Sequence, residues 1–221
     1  MTSRVRARAA AAAIFGLTVV QLLVATAFPD LQQFAGKGFR ARLIAYPVAM
    51  LAPPVIWWAV ARRRGREHAG DVGRDVGRDV GAALPWAGFA LIMAPFLIDV
   101  TGNTLNLYDT VRHWDDVNHY VNWFLLCSGG GLLLQRGPRR PGPEFVLLVG
   151  GMGAILAIGW EIAEYFSFIR GGTELAGAYT DTLGDETLGT LGALCAGLIL
   201  TRWQPAPEGA PGPERVPRTA G

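Results

Sequence analysis

Residues 145–168 read FVLLVGGMGAILAIGWEIAEYFSF, and this stretch decides the fold class. It is apolar over the length that a helix needs to cross the hydrocarbon core of a bilayer, which is about 20 residues. Because lipid cannot satisfy backbone polar groups, an apolar segment of this kind is expected to be helical. Similar blocks recur along the chain, at about Ala9 to Phe28, Leu43 to Ala61, Ala82 to Val100, Tyr120 to Leu134, Phe145 to Phe168 and Leu188 to Trp203.

The composition supports this interpretation. The chain has 221 residues, of which 51% are hydrophobic and 17% charged, whereas charged residues make up about a quarter of an ordinary soluble domain. These values exclude a soluble enzyme, an extended disordered protein and a secreted disulfide scaffold. Cys127 and Cys195 lie inside apolar blocks without metal or redox spacing, which is typical of small buried side chains.

The sequence therefore predicts an all-α fold, a polytopic transmembrane helix bundle of about six helices. Residues 1–203 form the transmembrane domain, and residues 204–221 form a disordered Pro/Gly-rich cytoplasmic tail. Residues 71–81 repeat Asp-Val-Gly-Arg and predict a flexible cytosolic connector. The first block also has a small-residue cleavage site, Ala25-Thr26-Ala27, so a cleaved signal peptide is the alternative to a full span.

The basic residues indicate the orientation. With the N-terminus inside, fifteen of the 20 Lys and Arg residues fall on the inner side, as the positive-inside rule requires. The predicted location is a bacterial inner membrane, crossed several times, with both termini cytoplasmic. Lys37, Arg40 and Arg42 are the group that disagrees with this assignment.

The acidic residues collect at the opposite side. Three pairs at helical spacing lie at helix ends on the predicted outer side, and each pair places both side chains on one helical face. Since ionisable groups in a span are costly, they are expected to face a polar interior. We predict that they converge in one outward-facing pocket: Asp115 with His119, Glu161 with Glu164, and Asp181 with Asp185.

Structural roles are the alternative for some of these acids. Asp116 and Glu186 are placed to cap helix N-termini, where the dipole favours anions. Glu161 and Glu164 lie toward the C-terminal end of a helix, so capping does not explain them. For this pair a structural ion pair with Arg112 or Arg170 is as compatible with the sequence as a functional role.

The residue types suggest two kinds of chemistry. One imidazole among several carboxylates suits proton transfer, and it equally suits a divalent cation with mostly oxygen ligands. Glu161, Glu164, His119 and Asp185 are the candidate metal ligands. The spacing matches no tetrahedral zinc signature.

Three segments together resemble a known family: Tyr108 to Tyr120 (YDTVRHWDDVNHY), Trp160 to Glu164 (WEIAE), and Asp181 to Asp185 with Gly189 and Gly192. They are similar to the YjdF-like bacterial inner membrane proteins of unknown function and, more distantly, to VanZ-like proteins linked to glycopeptide tolerance. The resemblance covers about residues 99–200. The family pattern Asp-x3-His fits two registers, Asp109/His113 and Asp115/His119, and the apolar helix after His119 favours the second. Asp116 stands where VanZ-like proteins usually have a basic residue, which argues against transferring the glycopeptide link.

Three functions are compatible with the sequence. The first is a membrane-embedded enzyme acting on a lipid-linked or envelope substrate, and the second is a non-catalytic scaffold with a structural polar network. A proton- or cation-coupled transporter ranks below both, because the inner halves of the helices are apolar and no repeated half is evident. The expected partner is the lipid bilayer, and no nucleic-acid partner is expected. The oligomeric state is left open.

Overall fold

The structure is a computed structural model that describes residues 3–68, 84–135, 142–167, 169–171 and 173–202. This part of the chain is entirely helical and contains no strand. Two short 3-10 turns, Ile169–Gly171 and Thr173–Ala176, join the last two helices. The α-helices are α1 (Ser3–Ala27), α2 (Phe39–His68), α3 (Trp86–Thr104), the short α4 (Leu107–Thr110), α5 (Trp114–Leu134), α6 (Pro143–Ser167) and α7 (Ala178–Arg202).

Five helices in the described residues are long and apolar enough to cross a membrane: α1, α2, α3, α6 and α7. The all-α character is therefore confirmed for the described residues, and these five helices are candidate membrane spans. Helix α5 is as long as α3, but its first two turns carry Asp115, Asp116, Asn118 and His119, which lower its mean hydropathy. The count of six spans stays a prediction.

Three helices begin well before the predicted apolar blocks, and the first of them, α1, starts at Ser3 instead of about Ala9. Helix α5 starts at Trp114 instead of about Tyr120, and α7 starts at Ala178 instead of about Leu188. Apolar runs underestimate these helices because their first turns are polar, and in α5 and α7 several of those side chains face the interior of the bundle. Glu186 consequently lies inside α7, so the expectation that it caps a helix N-terminus is wrong.

The helices pack in a defined order. Helix α5 lies between α3 and α7, α6 packs on α7, and α1 packs on α3, while α2 makes lighter contacts with α1 and α3. The α5–α6–α7 core is built around Trp123, Cys127, Phe145 and Val149. A Cβ atom on Gly129 would lie 2.5 Å from the Gly88 carbonyl oxygen, which shows how closely α3 and α5 approach. Small residues permit such contacts between membrane helices.

The contacts also show how the helices are directed. Arg8 stacks on Trp86 near the starts of α1 and α3, and Gln21 donates to Thr101 near their ends, so these helices run parallel. The connections from α1 to α2, α3 to α5 and α6 to α7 therefore meet at one end of the bundle, which we call the polar end. The predicted connector at residues 71–81 and the predicted tail at 204–221 lie outside the described residues.

Candidate functional site

A cavity of about 310 Å³ opens at the polar end. The start of α2, the end of α3, α4, the start of α5, the end of α6 and the start of α7 all contribute to it. One part of its wall is apolar and includes Phe96, Trp123, Leu126 and Trp160. The rest carries charged and amide side chains, and many of these belong to one of two groups, the His119 cluster and the Asp99 network.

The His119 cluster comprises His119, Asp115, Asp185 and Glu161. The imidazole Nδ1 lies 3.0 Å from Asp185 Oδ1 and 3.4 Å from Asp115 Oδ1. The other ring nitrogen, Nε2, lies 3.7 Å from Glu161 Oε1. Three helices are thus joined at one imidazole, because Asp115 and His119 are on α5, Glu161 is on α6 and Asp185 is on α7.

Local helix geometry explains two of these contacts. Asp115 and His119 are one turn apart on the same face of α5, as i, i+4 residues are. On α7, Thr182 lies about one turn before Asp185. Its Oγ1 donates a hydrogen bond to Glu161 Oε2 on α6 at 3.2 Å. That hydrogen bond leaves Glu161 Oε1 directed toward the imidazole. The contact of His119 with Asp185 depends instead on the close packing of α5 against α7.

The Asp99 network comprises Asp99, Arg42, Tyr46, Tyr108 and Asn103. Arg42 and Tyr46, both on α2, donate to Asp99 Oδ2 at 2.9 and 2.6 Å. Tyr108 donates to Oδ1 at 2.7 Å, and Asn103 donates to the same oxygen at 3.4 Å. Both oxygens of the Asp99 carboxylate are therefore occupied, which is the arrangement expected of a structural anchor.

Tyr108 lies in the connection between α3 and α5, outside the spanning helices. Burial of the phenol and the nearby Asp99 carboxylate raise the pKa of Tyr108 well above its usual range. The hydroxyl stays protonated and donates to Asp99, while its oxygen accepts a hydrogen bond from Asn118 Nδ2. Asn122 donates in turn to Asn118 at 2.8 Å, and the Oδ1 of Asn122 is buried without a partner among the described residues.

The structure brings most of the predicted site residues together. Five of the six line the cavity: Asp115, His119, Glu164, Asp181 and Asp185. The sixth, Glu161, is not part of the cavity wall but contacts His119. The Glu164 carboxylate takes part in no hydrogen bond and no ion pair within the described part of the chain. Their roles as acid/base groups or ligands remain predictions.

The sequence also suggested structural roles for three of these acids, namely ion pairs for Glu161 and Glu164 and a helix cap for Asp116. Arg112 and Arg170 are exposed, and among the described residues neither forms an ion pair with Glu161 or Glu164. Among the described residues the ion-pair alternative is therefore wrong, and the side chain next to Glu161 is the imidazole of His119. Asp116 lies in the first turn of α5, where its Oδ2 is 3.0 Å from His113 Nδ1 at the surface.

The two Asp-x3-His registers differ in whether the aspartate and the histidine contact each other. Asp115 and His119 meet at the cavity. Asp109 instead pairs with Lys37 at 3.3 Å, and His113 pairs with Asp116.

Sequence reasoning did not include Arg42, Tyr46, Tyr108 and Asn118 in the site. A signal was present for Arg42 and for Lys37, which also lines the cavity, because both belong to the group that disagrees with the positive-inside rule. Each pairs with an acid at the polar end, Lys37 with Asp109 and Arg42 with Asp99. Lys37 and Arg42, which the positive-inside rule does not explain, are thus both members of ion pairs at the polar end.

One subset of the cluster has the spacing of a metal site. Asp115, His119 and Asp185 each offer a ligand atom, and these atoms all lie within 4.8 Å of one another. The sequence had instead grouped Glu161 and Glu164 with His119 and Asp185. In the structure Glu161 approaches the other ring nitrogen, and Glu164 stands apart from the three.

Comparison with known proteins gives one match. The model of a family described as "Predicted membrane protein (DUF2238)" matches residues 76–206, a range somewhat wider than the predicted 99–200. No curated protein and no solved structure matches the chain. The names YjdF-like and VanZ-like are not part of this match.

Proposed function

The chain belongs to the family described as "Predicted membrane protein (DUF2238)", and we propose that it is a membrane-embedded enzyme that acts on a lipid-linked or cell-envelope substrate. The observation that carries this proposal is the position of Glu164. Its carboxylate lines the same cavity as the His119 cluster and forms no hydrogen bond or ion pair in the described part of the chain, although Arg42 interacts with it electrostatically.

The two groups suit different parts of a reaction. A cavity-lining carboxylate without a hydrogen bond or ion pair is available to accept or donate a proton, which contributes about 10²- to 10⁴-fold to a rate. In this proposal the His119 cluster is the second polar group at the cavity, because carboxylates of α5, α6 and α7 hold its imidazole in place. Asp99 takes no part in the reaction, since its oxygens already accept hydrogen bonds.

The substrate class follows from the walls of the cavity. Phe96, Trp123, Leu126 and Trp160 provide an apolar surface, and the charged residues face it. A molecule with an apolar chain and a polar headgroup complements both surfaces. In our proposal the polar end faces outward and both termini are cytoplasmic in a bacterial inner membrane, which brings envelope precursors and lipid headgroups within reach.

The test uses the purified full chain reconstituted in liposomes with a total envelope lipid extract. Mass spectrometry of the extract before and after incubation reports whether any lipid-linked species is converted. We expect conversion by the wild type and a loss of at least about 100-fold with Glu164→Gln, which removes the charge at nearly constant volume.

Glu144→Gln is the matched control, because Glu144 is an exposed residue in the first turn of the same helix α6. This variant should convert the extract at the wild-type rate. Equal rates for Glu164→Gln and the wild type would refute the assignment of Glu164.

A scaffold is the second candidate, and the Asp99 network supports it. That network joins α2, α3, α4 and α5 without any group left to react. If the protein is only a scaffold, the wild type should convert no species in the extract. Glu164→Gln would then change thermal stability alone.

A further inference from the structure

We propose that the His119 cluster is a binding site for a divalent cation, with His119 Nδ1, Asp115 and Asp185 as ligands and Glu161 as the residue that orients the imidazole. The proposal concerns the same site as the proposed enzyme. It does not require catalysis, because a scaffold would bind the ion equally well.

The first argument is the distances between candidate ligand atoms. Ligands about 2.1 Å from one ion lie roughly 3.0 to 3.5 Å apart when they subtend angles between 90° and 109°. His119 Nδ1 is 3.0 Å from Asp185 Oδ1 and 3.4 Å from Asp115 Oδ1. Both distances to the ring nitrogen thus match those of a coordination sphere, and all three ligand atoms lie within 4.8 Å of one another.

The second argument is the number of acceptors around one ring nitrogen. Besides the two carboxylate oxygens, the backbone carbonyl of Asp115 lies 3.2 Å from His119 Nδ1. A single N–H group makes one well-directed hydrogen bond, so a protonated Nδ1 cannot serve three oxygens equally well. A cation placed between the nitrogen lone pair and the two carboxylates interacts favourably with all of its ligands.

The third argument is the environment of the other ring nitrogen. Histidines that bind a metal usually donate their second N–H to a carboxylate, which fixes the tautomer. Here Nε2 faces Glu161 Oε1 at 3.7 Å, and Glu161 is itself held by Thr182. With an ion bound to Nδ1, the ring proton is on Nε2, and Glu161 is the carboxylate beside it, at a separation longer than a hydrogen bond.

The charge balance agrees with these contacts. The side chains of His119 and Asp185 are 12% and 6% exposed, and Glu161 and Glu164 lie on the neighbouring helix. Three carboxylates therefore contact one imidazole at the margin of a membrane, where unpaired charge is costly. Lys37 pairs with Asp109, and Arg42, which pairs with Asp99, also interacts electrostatically with Glu164. A divalent cation neutralises two of the negative charges.

Two of the three proposed ligands are carboxylates, which suit Mn²⁺, and this ion also provides a direct readout. The purified full chain in detergent is titrated with Mn²⁺, and the electron paramagnetic resonance signal of free Mn²⁺ reports binding. We expect one ion per chain and at least a tenfold weaker affinity for Asp185→Asn. Glu161→Gln should weaken binding about 10- to 100-fold through the orientation of His119.

Asp116→Asn is the matched control, because Asp116 is adjacent to Asp115 but lies exposed against His113. This variant should bind Mn²⁺ as the wild type does. Absence of binding by the wild type up to millimolar Mn²⁺, or unchanged affinity in Asp185→Asn, would overturn the proposal.

If Asp185→Asn does not fold, Asp115→Asn replaces it, since Asp115 is 45% exposed and tolerates exchange more readily. Unchanged Mn²⁺ affinity in Asp115→Asn would also overturn the proposal. Binding of Mn²⁺ without any lipid conversion would support the cation site and contradict only the enzyme.

Discussion

At the scale of single residues, two ion pairs at the polar end differ in burial. Arg42 and Asp99 are 14% and 15% exposed, whereas Lys37 and Asp109 are 23% and 38% exposed. Removing one member of a buried pair costs about 3 to 5 kcal/mol, because the other charge loses its compensation. Exposed pairs contribute about 0 to 1 kcal/mol. The Asp99 network is therefore expected to determine stability at this end.

We predict that Asp99→Asn lowers the free energy of unfolding by about 3 kcal/mol or more. The exchange removes the charge opposite Arg42 and one acceptor of the two tyrosine hydroxyls. Asp109→Asn, the matched exchange in the exposed pair, should cost less than about 1 kcal/mol. Denaturant titrations of both variants in detergent measure the difference. Similar losses in the two variants would contradict a special role for Asp99.

At the scale of helices, glycines determine how α5 and α7 meet. A Cβ atom on Gly192 would collide with the backbone carbonyl of Tyr120 and approach the backbone nitrogen of Phe124. Neither group can move without shifting α5, so the two helices approach closely at this point. Because His119 is on α5 and Asp185 is on α7, the same approach sets the separation of the proposed ligands.

We predict that Gly192→Ala destabilises the protein by about 1 to 3 kcal/mol, the usual cost of overpacking. The control is Gly184→Ala on the same helix, where an added Cβ meets nothing within 4 Å. This exchange should be neutral or stabilising by up to about 1 kcal/mol, because alanine favours helix. Thermal melts in detergent compare the two variants. A wild-type melting temperature for Gly192→Ala would show that the helices separate more easily than the structure implies.

At the scale of the whole molecule, charge is distributed between the two ends of the bundle. The polar end holds the cavity and its acids, whereas most of the basic residues belong to segments predicted at the other end. The positive-inside rule assigns that other end to the cytoplasm. In our proposal the polar end is consequently on the outer side of the membrane.

We predict that a membrane-impermeant thiol reagent added to intact cells labels Asp116→Cys but not Asp75→Cys. Asp116 is exposed at the polar end, and Asp75 belongs to the arginine-rich connector. Asp75→Cys should become reactive only after the cells are opened. Labelling of Asp75→Cys in intact cells would reverse the orientation and the proposed access to envelope substrates.

The amino-acid sequence by itself determined the class of fold. Long apolar blocks predict helices in lipid, because only intrasegment hydrogen bonds satisfy the backbone there. The candidate acids were also visible, since carboxylates near or within apolar segments carry a cost that the sequence displays. Their spacing at i, i+3 and i, i+4 indicated which side chains share a helical face, as Asp115 and His119 do.

Only the tertiary structure decided which of these residues meet. Contacts such as His119 with Asp185 or Arg42 with Asp99 depend on the rotation and depth of separate helices, and hydrophobic periodicity does not report these quantities. The starts of α5 and α7 were misjudged for the same reason: their first turns are polar, and burial against neighbouring helices keeps several of those side chains out of lipid. Asp99 is anchored by hydrogen bonds, whereas Glu164 forms none among the described residues. This difference is likewise a consequence of packing, because both are acids near the end of an apolar run.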